Sequence, residues 1–225
     1  MTNGYQTKYL RYGEIPRSVG VLYCDPLTSL IAYPSFEDHL IEMLPKLCAN
    51  ELHLAIGDVD GLRDYVMERR AVDPYSFGHL AGNACMRAVG AITAEWAANE
   101  LKDVDFHICG TFGGDEVIIA ADGPSHDAFA QKINILARDM KISSPRPVSF
   151  ALASLMPCAL EPADANTAYR TLVSAVDARL FALKGSARFA GGHLEGVVAD
   201  IGTVSLSELR DQDGIEHPAT MGEAR

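Results

Sequence analysis

Two short runs of strand-forming residues, Asp105–Phe112 and Glu116–Ala121, are separated only by Gly113-Gly114-Asp115. A link that short closes an antiparallel pairing, and glycine reaches positive φ at little cost in a tight turn, so the segment reads as a β-hairpin. The other segments then arrange themselves around it. Phe36, Leu40, Met43, Leu44 and Leu47 recur at helical spacing and predict an amphipathic helix over Pro34–Ala49. Glu51–Val59 is short, apolar and bounded by Asn50 and by Asp and Gly, the pattern of a buried strand. A short charged helix is expected over 61–71 and a longer one over Gly82–Leu101, through Met86, Val89, Ile92 and Trp96. After the hairpin come a helix over Ser125–Met140, a strand over Pro147–Met156, a helix over Ala165–Ser186 and a last strand near His193–Ile201. The order βααββαβαβ mixes one hairpin with helical crossovers and predicts an α/β fold, helices flanking a mixed sheet.

The chain of 225 residues is sized for about one domain, and nothing marks an internal boundary. Residues 1–20 read as a lead-in, 21–203 as the folded domain and 204–225 as a polar tail. With 48% hydrophobic and 22% charged residues the chain has the means to build a core. Nineteen Lys and Arg against 30 Asp and Glu leave a net charge of −11, which repels a phosphate backbone at long range; no nucleic-acid partner is expected, although one local cationic spot could still hold a small phosphate ligand. The five cysteines are odd in number and include no CxxC pair, which points away from a disulfide framework or zinc knuckle and towards a reducing, cytoplasmic setting. No apolar run approaches the ~18 residues of a membrane span, and the N-terminal segment lacks the apolar core of a signal peptide.

The chemistry concentrates at two places. Asp58 and Asp60 lie at the carboxyl end of the first predicted strand, where ligands collect in open α/β sheets. Asp115 and Glu116 lie at the hairpin turn. Should the two strands be neighbours, these carboxylates converge, and a hard divalent cation such as Mg²⁺ (or Mn²⁺) relieves their repulsion while keeping waters for a phosphate substrate. Gly113 and Gly114 leave no side chains over the turn, so a polyphosphate could approach the backbone. Each acidic turn alone is also compatible with an ordinary solvated turn on an acidic protein.

The segment Thr111–Val117 (TFGGDEV) resembles the signature of the GGDEF family of diguanylate cyclases. Asp25-Pro26-Leu27-Thr28-Ser29-Leu30, with Phe36 and Leu40 beyond it, resembles that family's opening D-x-L-T-G-L-x-N-R-x-x-F. Leu54–Leu62 resembles its first strand with D-x-D-x-F, Gly78–Asn83 its G-H-x-x-G-D, Val148–Ala153 its late strand, and Val176–Lys184 its A-D-x-A-L-Y-x-A-K. The likeness runs in family order from about residue 24 to 190.

The resemblance implies a palm-like fold of ferredoxin-like descent and one GTP per subunit, with two subunits facing each other as a homodimer. Each 3′-hydroxyl would attack the other nucleotide's α-phosphate, giving cyclic di-GMP and pyrophosphate. Carried over, Asp58, the carbonyl of Val59, Asp115 and Glu116 would hold Mg²⁺, and Asp115 or Glu116 would act in catalysis by helping remove the hydroxyl proton. Gly61, Leu62, Arg63, Gly113 and Gly114 would lie along the nucleotide, with Lys184 and Arg188 on its phosphates and Phe36 and Leu40 near the base. On spacing alone, Lys184 and Arg188 also fit a solvated helix end, and Phe36 and Leu40 fit core positions.

The sequence departs from that pattern in the region reading guanine. The first motif is stretched over Met67–Pro74, so the family's guanine-reading asparagine falls near Pro74, and its aspartate is replaced by Asn83. A carboxylate accepts both guanine N1–H and the exocyclic amine, whereas an amide offers one acceptor and one donor, so relaxed or altered base choice is expected. The arginine before the glycines is absent, the position of the product-inhibition motif RxxD reads Val104-Asp105-Phe106-His107, and the last signature residue is Val117. Two alternatives stay open: a degenerate domain that binds nucleotide without turnover, and a ring-opening enzyme like GTP cyclohydrolase III on the same palm.

Overall fold

The computed structural model describes residues 22–72 and 78–208. The lead-in over 1–20, the stretch holding Pro74 and most of the polar tail lie outside the described residues.

Helix α1 (Tyr33–Leu47) begins with Pro34 in its first turn, where a missing N–H costs nothing, and buries Phe36, Leu40, Leu44 and Leu47 along one face. Strand β1 (Leu52–Val59) is followed by α2 (Leu62–Val72) and α3 (Gly78–Glu100), then the hairpin of β2 (Phe106–Thr111) and β3 (Glu116–Asp122). Helix α4 (His126–Ser143) starts at Ser125, whose hydroxyl accepts from Ala128 N, and leads into β4 (Val148–Leu155). A 3₁₀ turn, α5 (Ala165–Phe189) and β5 (Val198–Val204) complete the fold.

The sheet has five strands in the order β2-β3-β1-β4-β5. β1 pairs antiparallel with both β3 and β4, while β5 adds in parallel beside β4. Without β5 this is the split βαβ arrangement of ferredoxin-like folds, the α/β architecture expected from the sequence. The central strands are buried on both faces, and their period of two divides the core in half. Leu54 and Ile56 of β1, Ile118 and Ala120 of β3, and Ala151 and Ala153 of β4 pack under α1 and α5. Ala55, Val117, Ile119, Phe150 and Leu152 form the other half with residues of α3 and α4, Val89 and Phe129 among them. No helix among the described residues is long and apolar enough to cross a membrane.

The last strand begins at Val198 rather than His193. Gly191 and Gly196 adopt positive φ of 78° and 73°, and these left-handed turns hold 191–197 out of the sheet as a loop. Before α1, Asp25 Oδ1 accepts from the N–H of Leu27 and of Thr28 and from the Thr28 hydroxyl, closing a turn that ends in Ser29 at a φ of 62°.

That turn rests on α3 at Gly90, where an added Cβ would run into the Thr28 backbone. Alanine gains ~1 kcal/mol over glycine in a helix interior, but here a backbone carbonyl rather than a movable side chain blocks it. Gly90→Ala should therefore lower stability by about 1–3 kcal/mol, the range for overpacking, read as a reduced urea midpoint at unchanged m-value.

Candidate functional site

The β1–β3 register places Asp58 opposite Glu116. Side chains two apart on a strand share a face, so Asp58 continues the stripe of Leu54 and Ile56, and Glu116 that of Ile118 and Ala120. The apolar stripe under α5 thus ends in two facing carboxylates. Asp115, one residue earlier, accepts the Val59 N–H through its carbonyl (3.1 Å). α5 meets these acids with a stripe of its own: Val176 and Leu180 are buried against the sheet, and Lys184 and Arg188 follow at four-residue spacing.

The Lys184 ammonium forms an ion pair with Asp58 Oδ1, hydrogen-bonds the Val59 carbonyl at 3.3 Å and lies 3.6 Å from Asp60 Oδ1. A cationic group therefore already sits against the carboxylate and carbonyl oxygens at the end of β1. Burial raises the Asp58 carboxyl above its usual range, opposed by Lys184 and reinforced by Asp115 and Asp60. Glu116 is pushed up to about 7 by burial first, then by the charges of Asp58, Asp115 and Asp177. An all-oxygen donor set of Asp58, Val59, Asp115 and Glu116, with excess negative charge and one ammonium among it, fits a hard divalent cation.

A cavity of about 390 Å³ opens onto this cluster, lined by Asp58, Val59, Asp60, Gly61, Leu62, Arg63, Asp115, Lys184 and Arg188, with Asp64, His193 and Leu194 closing one side. A second cavity, of about 380 Å³, shares Leu62, Arg63 and Asp115 with the first and continues between α2 and α3 past Gly82, Asn83 and Met86 to Gly114 and Leu27. The structure thus gathers the acids and the basic pair at one end of the sheet, with Asn83 on the adjoining cavity. Phe36 and Leu40, 0% and 1% exposed, belong to the core under α1 and line neither cavity.

The hairpin glycines work by a different property from the one expected. Neither Gly113 nor Gly114 has positive φ. A Cβ on Gly113 would lie 2.5 Å from Glu116 Oε2, so this glycine makes room for the carboxylate to fold over the turn. Gly114 has open space where a side chain would be.

Three features escaped the sequence reading. Asp60, 2% exposed, is chiefly an anchor: its Oδ2 accepts from Ser149 Oγ (2.6 Å) and Gly196 N (2.9 Å), and its backbone carbonyl accepts from Arg146 Nε (2.7 Å). His193, expected in a strand, stands on the loop and pairs Nε2 with Asp64 Oδ2 at 2.7 Å across the rim of the cavity. Asp177 adds its charge to Glu116 from α5. Only the glycine-rich run 191–196 hinted at the loop.

Because folded Glu116 holds its proton more tightly than the unfolded chain, its contribution to stability is complete below the ordinary value of 4.5 and is lost as pH rises through about 7. With divalent ions chelated, melting temperature should fall over this interval. Glu116→Gln should flatten the fall and, after discounting for partial exposure, melt ~2–4 °C above the parent at pH 8, equivalent to ~1 kcal/mol. Equal slopes for the two proteins would contradict the charge crowding.

No protein-family profile matches the sequence, and neither does any curated protein sequence. Solved structures do match. The GGDEF domain of DgcB from Caulobacter crescentus, in complex with c-di-GMP, superposes with a TM-score of 0.58 at 17% identity, covering 82% of this chain and 98% of that one. A microbial GGDEF domain in a novel interaction mode with cyclic di-GMP gives 0.54 at 22% identity, covering 79% and 95%. The diguanylate cyclase SiaD from Pseudomonas aeruginosa, in complex with its activator SiaC, gives 0.56 at 15% identity, covering 81% of this chain and 61% of that one. The chain has the fold of GGDEF domains.

Proposed function

We propose that this protein is a divalent-metal-dependent nucleotidyl cyclase of the diguanylate cyclase type, joining two GTP into cyclic di-GMP with release of pyrophosphate. The observation that carries the reading is the meeting of Asp58, Asp115 and Glu116 with Lys184 and Arg188 at one end of a GGDEF-type sheet, where Asp58, Asp115, Lys184 and Arg188 line one cavity and Asp115 and Asn83 line the next.

In this reading the triphosphate lies in the first cavity and the base in the second. Lys184 leaves Asp58 for the phosphates, a point charge, and Arg188 adds a planar two-pronged donor. Asp58, Asp115, Glu116 and the Val59 carbonyl hold Mg²⁺ or Mn²⁺, which supplies charge neutralisation at the α-phosphate and leaving pyrophosphate. Glu116, opposite Asp58 at the end of the sheet, is the group that in its ionised form would accept the 3′-hydroxyl proton. The O3′–phosphorus bond forms as the bond to the β-phosphate oxygen breaks. Two such transfers close the ring and release two pyrophosphates. One nucleotide per chain makes a homodimer the catalytic unit. The domain spans 21–203, and a cytoplasmic nucleotide pool supplies the substrate.

A second reading, nucleotide binding without turnover, is favoured by the engagement of Lys184 with the acids themselves. Incubating the protein with each nucleoside triphosphate and Mg²⁺ or Mn²⁺, then analysing products by mass spectrometry, separates the readings. Cyclic dinucleotide with pyrophosphate is expected, and Asp115→Asn should reduce it by about 10²-fold or more while leaving the melting temperature of the apo-protein within a few degrees. Bound but intact GTP selects the second reading, and a ring-opened base points to chemistry like that of GTP cyclohydrolase III.

Base choice follows from the Asn83 amide. A carboxylate here would offer two acceptors to guanine N1–H and N2–H₂, a match worth about 1–3 kcal/mol. Asn83→Asp is expected to raise the ratio of kcat/KM for GTP over ATP by ~10-fold, measured by competition between the two nucleotides.

A further inference from the structure

At the opposite end of the sheet a second cluster of ligating side chains comes together, outside the cavities just described. Glu51 precedes β1, His53 lies in β1, His126 opens α4 and Ser154 stands on β4 beside His53. The candidate ligand atoms of Glu51, His53 and His126 all lie within 4.8 Å of one another. His53 is fully buried, and burial holds its ring below the usual imidazole range.

The two rings are held in the same way. His53 Nε2 lies 2.7 Å from the Pro124 carbonyl, and His126 Nε2 lies 3.0 Å from Asp200 Oδ2. Both partners only accept, so each Nε2 carries a hydrogen and each ring turns its Nδ1 inward. Both Nδ1 atoms converge on one oxygen, Ser154 Oγ, at 2.6 and 2.7 Å. The hydroxyl has one proton and can satisfy one of the two. The other Nδ1, close to the Glu51 carboxylate, is left for a cation, either a proton or a metal ion. An outer carbonyl and an outer carboxylate orienting two imidazoles whose inner nitrogens converge is also how metal-binding histidines are held.

We propose that Glu51, His53 and His126, assisted by Ser154, form a binding site for a divalent metal of the zinc class, with Pro124 and Asp200 as its orienting partners. Two imidazoles and one carboxylate, with the Ser154 hydroxyl as a further oxygen, suit Zn²⁺, whereas Mg²⁺ prefers the all-oxygen cluster at the other end. The site ties the start of α4 to β1 and β4 and, through Asp200, to the edge strand β5. It depends on none of the residues invoked for cyclase activity.

The test is equilibrium dialysis of the full chain against Zn²⁺ alone as probe, in excess Mg²⁺ to fill the acidic cavity. One Zn²⁺ per chain is expected. His126→Ala and, as an independent variant at the surface, Glu51→Gln should each weaken it by ~10-fold or more, and Asp200→Asn by about 10-fold through loss of the orienting carboxylate. Asp115→Asn should leave it unchanged. Co²⁺ in place of Zn²⁺ should give the visible bands of a four-coordinate ion, lost in His126→Ala. Absence of stoichiometric Zn²⁺, binding indifferent to both His126→Ala and Glu51→Gln, or binding abolished by Asp115→Asn would overturn the proposal and leave a proton on His126 as the cation that completes the cluster.

Discussion

Asp58 and Glu116 face each other because seven consecutive residues of β1 and β3 are in register, from Leu52 with Asp122 to Asp58 with Glu116. The apolar side chains that precede them fix that register: a slip by one residue would turn the Leu54–Ile56 stripe out of the core under α5 and put His53, Ala55 and Gly57 in its place. Hydrophobic burial along the strands therefore drives two like charges together at their ends. Burial first, and then the repulsion from Asp58, Asp115 and Asp177, pushes the Glu116 carboxyl up to about 7. Neutralisation comes from α5, which is itself docked by Val176 and Leu180 so that Lys184 arrives at Asp58. Electrostatic tension at this end is a product of well-packed cores rather than an accident of loops.

How legible this was depended on which force placed each residue. Strands and helices driven by burial, such as β1, β3 and α5, were readable because periodicity records which face is apolar. The hairpin was readable in outline, but the role of its glycines was not: room for Glu116 Oε2 at Gly113 is a tertiary fact with no local trace. The same holds for Asp60. In sequence it is half of an Asp-x-Asp pair. In three dimensions its carboxylate is spent on Ser149 and Gly196, residues 89 and 136 positions away. His193 was misread because 193–201 is apolar enough for a strand, while Gly191 and Gly196 at positive φ keep its first part out of the sheet. Phe36 and Leu40 show the converse: their helical spacing described core positions, and the core is where they lie.

The two ends of β1 differ in donor chemistry as well as position. Its carboxyl end offers carboxylate and carbonyl oxygens, hard ligands in a setting already paired with an ammonium. Its amino end offers two imidazoles pinned by outer acceptors and one carboxylate. Hard cations select the first set and borderline ones the second, so one strand can present two sites without direct competition. Since α4 begins at His126 and β5 carries Asp200, order at the amino end constrains the strand edge beside β4. That edge is also where Ser149 and the 191–197 loop meet Asp60, so the two ends share supporting elements without sharing ligands.

In the proposed reading, chemistry and base choice are carried by different parts of the chain. The acids and basic pair sit on β1, β3 and α5, whose positions are over-determined by two buried cores. Asn83 sits near the start of α3, facing α2, a helix with no fully buried residue. An element held by so little apolar contact can change length or tilt at small cost to the sheet. Residues Met67–Val72 of the stretched segment are the second half of this weakly buried helix, so the stretch is compatible with an intact carboxylate–lysine cluster. The pattern in this chain, with its acids and basic pair in place and an amide where a carboxylate would read guanine, is the one that this division of labour produces.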